Sequence, residues 1–161
     1  MLTTKRSVRA CNHFTWAPIM EVAVLFIGIF ATMTPAMIYL NANASSLGLD
    51  APWQFYYSTG MLSSFLDNAP TAVAFYTIAT GLPVAEGVVT VAGIPEILMK
   101  AVSLGAVFFG SMTYIGNGPN FMIKSIAEEN GIAMPSFFGY IFKFSLIVLL
   151  PVYVLVQLLF I

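Results

Sequence analysis

A short polar interruption, Asp67-Asn68-Ala69-Pro70-Thr71, falls in the middle of an apolar run and constrains the fold of this chain more than any other feature. Forty-nine residues further on, counted from Asn68 to Asn117, the pattern returns as Gly116-Asn117-Gly118-Pro119-Asn120. The flanks match as well. Ser64-Phe65-Leu66 precedes the first motif and Thr113-Tyr114-Ile115 the second, so a hydroxyl, an aromatic and an aliphatic residue stand in the same order. Both motifs set a helix breaker and a carboxamide where an apolar helix would otherwise run straight on.

The medium around these motifs follows from composition. Of 161 residues, 59% are hydrophobic and 8% charged, against about 25% charged in a typical soluble domain. A chain of this size cannot hide so much apolar surface from water, so its solvent is the lipid bilayer. The net charge of −1 leaves no electrostatic footprint for nucleic acid, and the aromatic residues are not interleaved with Lys or Arg as a base-stacking surface requires. The lone Cys11 and lone His13 provide neither a disulfide, nor a structural zinc site, nor a nucleophilic triad. With no His, Cys or carboxylate cluster in the spans, neither an enzyme nor a bound metal cofactor is expected.

Lys5, Arg6 and Arg9 precede an apolar run over residues 19–40, which exceeds the roughly 7–15 residues of a secretory signal core and reads as a span. Residues 1–15 are then a cytoplasmic tail and residues 16–161 a transmembrane domain, since three basic residues stand before the first span and none between residues 41 and 80. Trp16 marks the headgroup level, Glu21 lies one turn inside, and Pro35 predicts a kink. Residues 41–52 carry loop chemistry.

The second apolar stretch, residues 53–79, is cut at residues 67–70 into arms of about a dozen residues, or about 18 Å each, too short to cross a core of about 30 Å. It is either one broken span or a re-entrant hairpin. Residues 81–95 form a Gly/Pro-punctuated loop. The third stretch, residues 96–127, has roughly 19 residues before its break at residues 116–119 and eight after it, enough for a broken helix that crosses. Residues 136–161 form the last span, with Pro151 as a kink and Lys143 near enough to its start to snorkel.

Charge decides between hairpin and broken span. Lys124 and Lys143 flank the last inter-span loop and match the basic N-terminal side, so the first and last spans run outward and the third runs inward. The second must then enter and leave on the outer side, as a hairpin. Lys100 is the one discordant charge. The expected fold is therefore an all-α membrane protein with two full spans, one re-entrant hairpin and one broken helix, multi-pass in the cell (inner) membrane with its N-terminus cytoplasmic.

Within hydrocarbon, backbone groups freed by a break must find partners, so breaks are tolerated where they are buried in protein or line a hydrated site. The carbonyl end of the first half-helix attracts Na⁺ or H⁺, and the amide end of the second attracts a carboxylate. Pro70 and Pro119 suit the first helical position, where a missing N–H is no loss. Asn68 and Asn117 offer a side-chain oxygen to a cation, or cap the following helix. Ala69, Gly116 and Gly118 keep the backbone accessible, and Thr71 and Asn120 add oxygens past the turn. Asp67, the one carboxylate deep in a membrane segment, is a cation ligand, a proton carrier or a helix cap. Read without any function, the same motifs are plain kinks that bind nothing.

At these residues the chain resembles the ion-transporter superfamily, which holds citrate transporters, dicarboxylate/sodium symporters and one class of bacterial sodium–proton antiporters. Residues 63–71 look like the hairpin-tip motif of the citrate and antiporter branch, and Gly105-Ala106-Val107-Phe108-Phe109-Gly110 leading into residues 114–122 looks like its broken-helix motif. Met134-Pro135-Ser136-Phe137-Phe138-Gly139-Tyr140 also resembles that branch. The resemblance covers roughly residues 16–161. It implies two inverted repeats, each with scaffold helices, a hairpin, a broken helix and a final span, of which this chain matches most of the C-terminal one.

By the same resemblance Asn68, Thr71, Asn117 and Asn120 line a sodium site. The other half comes from a missing N-terminal repeat, in the same or a separate chain; a homodimer is a separate expectation for the assembly. The expected activity is cation-coupled secondary transport. Because Asp67 repels citrate and attracts cations, sodium–proton antiport leads, and citrate-like organic-anion transport is the alternative. A non-transporting structural membrane subunit is the alternative from another class. Transported Na⁺ or H⁺ is the only ion expected, with no other cofactor.

Overall fold

The computed structural model describes residues 16–161. Lys5, Arg6, Arg9, Cys11 and His13, on which the reading of the N-terminal tail rests, lie outside the described residues. The chain divides into two compact units, Met1–Pro35 and Ala36–Ile161.

The first helix, α1, covers Ala17–Ala42 and runs through Pro35 without a break in its assignment. In its N-terminal unit, Thr32 Oγ1 donates to Gly28 O (2.9 Å) and Thr34 Oγ1 to Phe30 O (3.2 Å). Such local bonds feed carbonyls in the turn before the proline, whose own nitrogen cannot donate. Among the described residues two helices are long and apolar enough to cross a membrane, Ala23–Ala42 and Phe137–Phe160.

The unit Ala36–Ile161 contains the rest. After a 3₁₀ turn at Ala44–Leu47 come α2 (Pro52–Ser63) and α3 (Asn68–Thr80), separated by residues 64–67. These two helices fold back on one another. The Phe55 ring, near the start of α2, meets the Phe75 ring in the second half of α3 edge-on at 6.4 Å. Asp50 and Pro52 at the start of α2 line the same cavity as Leu82 and Pro83 beyond α3. The chain therefore turns back at residues 64–67, as a hairpin does.

Residues 81–95 are more ordered than turn chemistry alone predicts. Thr90–Val91 (β1) pairs antiparallel with Ile94–Pro95 (β2) across Ala92 and Gly93, both at positive φ (53° and 80°). Two consecutive left-handed residues match the right-handed twist of a tight hairpin. The segment Val88-Val89-Thr90-Val91 holds the β-branched residues that announce it.

Helix α4 (Glu96–Phe109) packs along α2 at close range. A Cβ at Gly105 would lie 2.5 Å from the Tyr56 carbonyl oxygen, and one at Gly60 would lie 2.4 Å from the Phe109 ring. Small residues bring the two backbones together, which supplies packing where lipid removes the hydrophobic drive. Phe55, Tyr56, Ala101, Val102, Phe109 and Tyr153 form the buried core around this contact.

Two expectations need correction. The third stretch does not stay helical to residue 115: α4 ends at Phe109, residues 110–117 are unwound, and α5 starts at Gly118 and ends at Glu129. The unwinding begins early because side chains elsewhere take up the released carbonyls. Asn120 Nδ2 donates to Gly110 O (2.9 Å), Tyr140 OH to Ser111 O (3.1 Å) and Ser145 Oγ to Met112 O (2.6 Å). The last helix, α6 (Phe137–Phe160), is also not a plain α-helix kinked at Pro151. Its segment Ile141–Leu149 is π-helical and ends two residues before Pro151, which lacks an N–H; π segments commonly sit beside functional features.

Candidate functional site

The turn between α2 and α3 and the unwound segment between α4 and α5 lie against each other. The two matched flanking hydroxyl residues join them: Thr113 Oγ1 donates to Ser64 O. The same Thr113 oxygen accepts from Gly116 N (3.0 Å) and Ile115 N (3.2 Å) and so shapes the turn into the second motif. On the other side Ser64 Oγ returns a bond to Gly60 O (2.9 Å), and Ser63 Oγ donates to Ala106 O (2.6 Å).

At the centre sit two carboxamides. In the orientation that satisfies both ends of its amide, Asn68 Nδ2 has three acceptors within reach of its two hydrogens, Ser63 Oγ (2.9 Å), Ala106 O (3.0 Å) and Gly116 O (3.2 Å), and its Oδ1 accepts from Asn117 Nδ2 at 3.2 Å. Neither helix is capped by a side chain at its start: the N-cap residues Asp67 and Asn117 make no such bond. The capping alternative is thus not what Asn117 does.

The surroundings of this pair are rich in oxygen. A Cβ on Gly116 would lie 2.7 Å from Gly110 O, 2.7 Å from Ser64 O and 2.8 Å from Ser63 O. A Cβ on Gly110 would collide with the Asn68 amide. Ser63 closes α2, and Ala106 and Gly110 stand at the end of α4. The carbonyl ends of two half-helices, the partially negative poles of their dipoles, therefore converge on one place. Hard cations are held by such carbonyl and carboxamide oxygens.

Of the other sequence candidates, Thr71 is buried, but its hydroxyl donates to Asp67 O (3.0 Å), one turn back on its own helix. Asn120 holds Gly110 O (2.9 Å) and Thr113 O (3.3 Å), shaping the break rather than joining the Asn68–Asn117 pair. Asp67 is exposed at the N-cap of α3, and among the described residues no hydrogen bond or ion pair involves its carboxylate. Pro70 occupies the third position of α3 and Pro119 the second of α5, later than the expected first position but still where helical N–H groups have no partner. Pro70 and Gly116 are buried, while Ala69, Gly118 and Pro119 are exposed. The side chain of Glu21 is outside the described set.

Sequence reasoning overlooked Ser63, Gly110, Ser145 and Tyr153. Tyr153 and Ser111 hydroxyls lie 2.5 Å apart, and Tyr56 OH donates to Tyr153 O (3.0 Å), so the last helix is fastened to the back of the break. A serine, Ser145, buried inside the most apolar helix was the one available signal. Among the described residues no three His, Cys, Asp or Glu side chains are grouped to hold a metal ion.

Comparison with known families gives one match, a family described as "Putative citrate transport", which covers residues 1–161. No curated protein and no solved structure matches the chain.

Proposed function

The chain belongs to this citrate-transport family of membrane transporters, and from that premise we propose that it forms part of a cation-coupled secondary transporter whose cation site is the Asn68–Asn117 pair. The observation that carries the proposal is the wall of oxygens around the Asn68 amide: Ser63 Oγ, Ala106 O and Gly116 O, with Ser63 O, Ser64 O and Gly110 O beside Gly116.

The cluster is satisfied by an amide nitrogen pointing into that wall. A small cation takes the place of the nitrogen's positive end. Asn68 then turns its oxygen toward the ion, which brings its nitrogen against Asn117 Nδ2, so Asn117 turns in response and adds a second carboxamide oxygen. Ion binding at one tip thereby reorients the start of α5, a two-state event of the kind that coupled transport needs. In the membrane, α2–α3 is a re-entrant hairpin and α4–α5 a broken crossing helix, with the tips meeting between the leaflets. The complementary half of the site comes from a further repeat or a second chain.

The family points to a citrate-like organic anion as cargo. Sodium–proton exchange is the second reading, favoured by the exposed carboxylate of Asp67 at the hairpin tip. Uptake of labelled citrate and proton flux, both against an imposed Na⁺ gradient, separate the two in vesicles carrying the native transporter. Citrate uptake that requires the cation and is lost in Asn68→Ala and Asn117→Ala supports the proposed site. Transport unchanged in both variants refutes it, and no transport of either kind favours a structural subunit.

A further inference from the structure

A second cavity lies next to the break. It measures about 360 Å³ and is bounded by Tyr114 and Ile115 of the unwound segment, Phe121, Lys124 and Glu128 of α5, and residues 134–137 leading into α6. Lys124 stands seven residues beyond Asn117, or about 10 Å along the helix axis. Its side chain is 21% exposed and its ammonium lies 2.6 Å from Glu128 Oε1 and 5.6 Å from the centre of the Tyr114 ring. Tyr114 is itself fixed, buried, stacked on Tyr140 at 4.6 Å and donating from its hydroxyl to Pro135 O (3.2 Å).

We propose that this cavity is a subsite for a carboxylate of the organic-anion cargo, in which Lys124 is the binding charge and Glu128 the counter-ion that the cargo displaces. The inference rests on the organic-anion reading above. A polycarboxylate has more negative charge than one bound cation and the helix amide ends neutralise, so a further positive side chain beside the cation site is the complement to look for. Among the described residues the other lysines are placed differently: Lys100 pairs with Glu96, and its cavity is lined by α4 and Phe160, while Lys143 is exposed on α6. Lys124 lines a cavity that also contains residues of the break.

The pair it makes is suited to exchange. Glu128 is 45% exposed, so the ion pair is screened by water and weakly held. Lys preceding Glu by four residues is also the less favourable order on a helix. The Tyr114 face keeps the ammonium in place when Glu128 leaves, because a cation over an aromatic face is attracted by its negative charge density. Ser136 adds a hydroxyl at the cavity wall; its oxygen accepts from Gly139 N (3.2 Å), which leaves its own hydrogen for the anion.

The test is labelled citrate uptake by vesicles carrying the native transporter, with citrate KM and the half-saturating cation concentration measured separately. Lys124→Met is expected to raise the citrate KM at least about tenfold, the loss of one charge-assisted hydrogen bond. Glu128→Gln is expected to lower it severalfold, and Lys124→Arg to stay near the native value, while the cation requirement is unchanged in all three. If Lys124→Met and Glu128→Gln shift the citrate KM in the same direction, or not at all, the subsite is overturned and the pair is a structural fastening. If Lys124→Met fails to accumulate in the membrane, Glu128→Gln, which retains the lysine, decides by itself. Uptake that depends on Asn68 and Asn117 but ignores Lys124 and Glu128 overturns the subsite alone. A native protein that transports no citrate overturns the organic-anion reading and this inference with it.

Discussion

Asn117 Nδ2 donates to Asn68 Oδ1 at 3.2 Å, although the two residues begin different helices and belong to separate copies of the same short motif. The contact joins the hairpin turn to the unwound segment, and the two carboxamides share a wall of backbone oxygens. Neither amide has a second role as a helix cap.

Replacing either asparagine removes one donor or acceptor from the cluster and leaves its partner unsatisfied. Asn117→Ala is expected to cost about 1 kcal/mol of stability, the loss of one hydrogen bond between half-buried amides, and to raise the cation concentration for half-maximal transport at least about tenfold. Thermal unfolding in detergent and cation-dependent uptake measure the two effects. Native cation dependence in this variant contradicts the site.

Gly116→Ala puts a methyl against three backbone carbonyls that cannot move as a side chain tip can. Overpacking of this kind costs about 1–3 kcal/mol or more, and the variant is expected to lose transport altogether. Gly110→Ala meets the Asn68 side chain instead. It is expected to keep more stability while weakening cation affinity, because the amide is pushed from its place. Comparing unfolding temperatures and cation titrations of the pair checks the difference.

Thr71→Val tests a residue that the motif singles out and the geometry does not. Its hydroxyl bonds to Asp67 O on its own helix, so the expected loss is about 1 kcal/mol of stability with an unchanged half-saturating cation concentration. A large drop in cation affinity would place Thr71 among the ligands.

Thr59 is fully buried in α2, and its hydroxyl has no hydrogen-bond partner among the described residues. Thr59→Val keeps the shape and removes the unpaired polar atom, so it is expected to stabilise the protein by up to about 1–3 kcal/mol. Chemical denaturation of the two proteins side by side reports the sign.

Ser145→Ala releases Met112 O, and Tyr153→Phe removes the hydroxyl beside Ser111. Both are expected to loosen the unwound segment without touching the cation ligands. Hydrogen exchange at residues 110–117 should rise, and the turnover rate should change more than the half-saturating cation concentration.

The composition and the two motifs determined a great deal by themselves. A chain with so few charges and such long, continuous apolar stretches is helical in lipid, because each stretch must pair its own backbone groups. Barrel strands, by contrast, are about 9–11 residues long and alternate apolar with polar. Pro70, Pro119 and the asparagines located both α3 and α5 at their first turns. Local sequence left open where α4 ends, since a glycine alone does not stop it: Gly105 stays helical while Gly110 does not. That boundary was decided by Tyr140, Ser145 and Asn120, whose side chains replace the helical hydrogen bonds from a distance. The site was divided in the same way. Asn68 and Asn117 were legible as carboxamides at breaks, but Thr71, Asn120 and Asp67 carry the same chemistry. Only the packing of α2 against α4, permitted by Gly60 and Gly105, decided which amides face each other and which turn back on their own backbone.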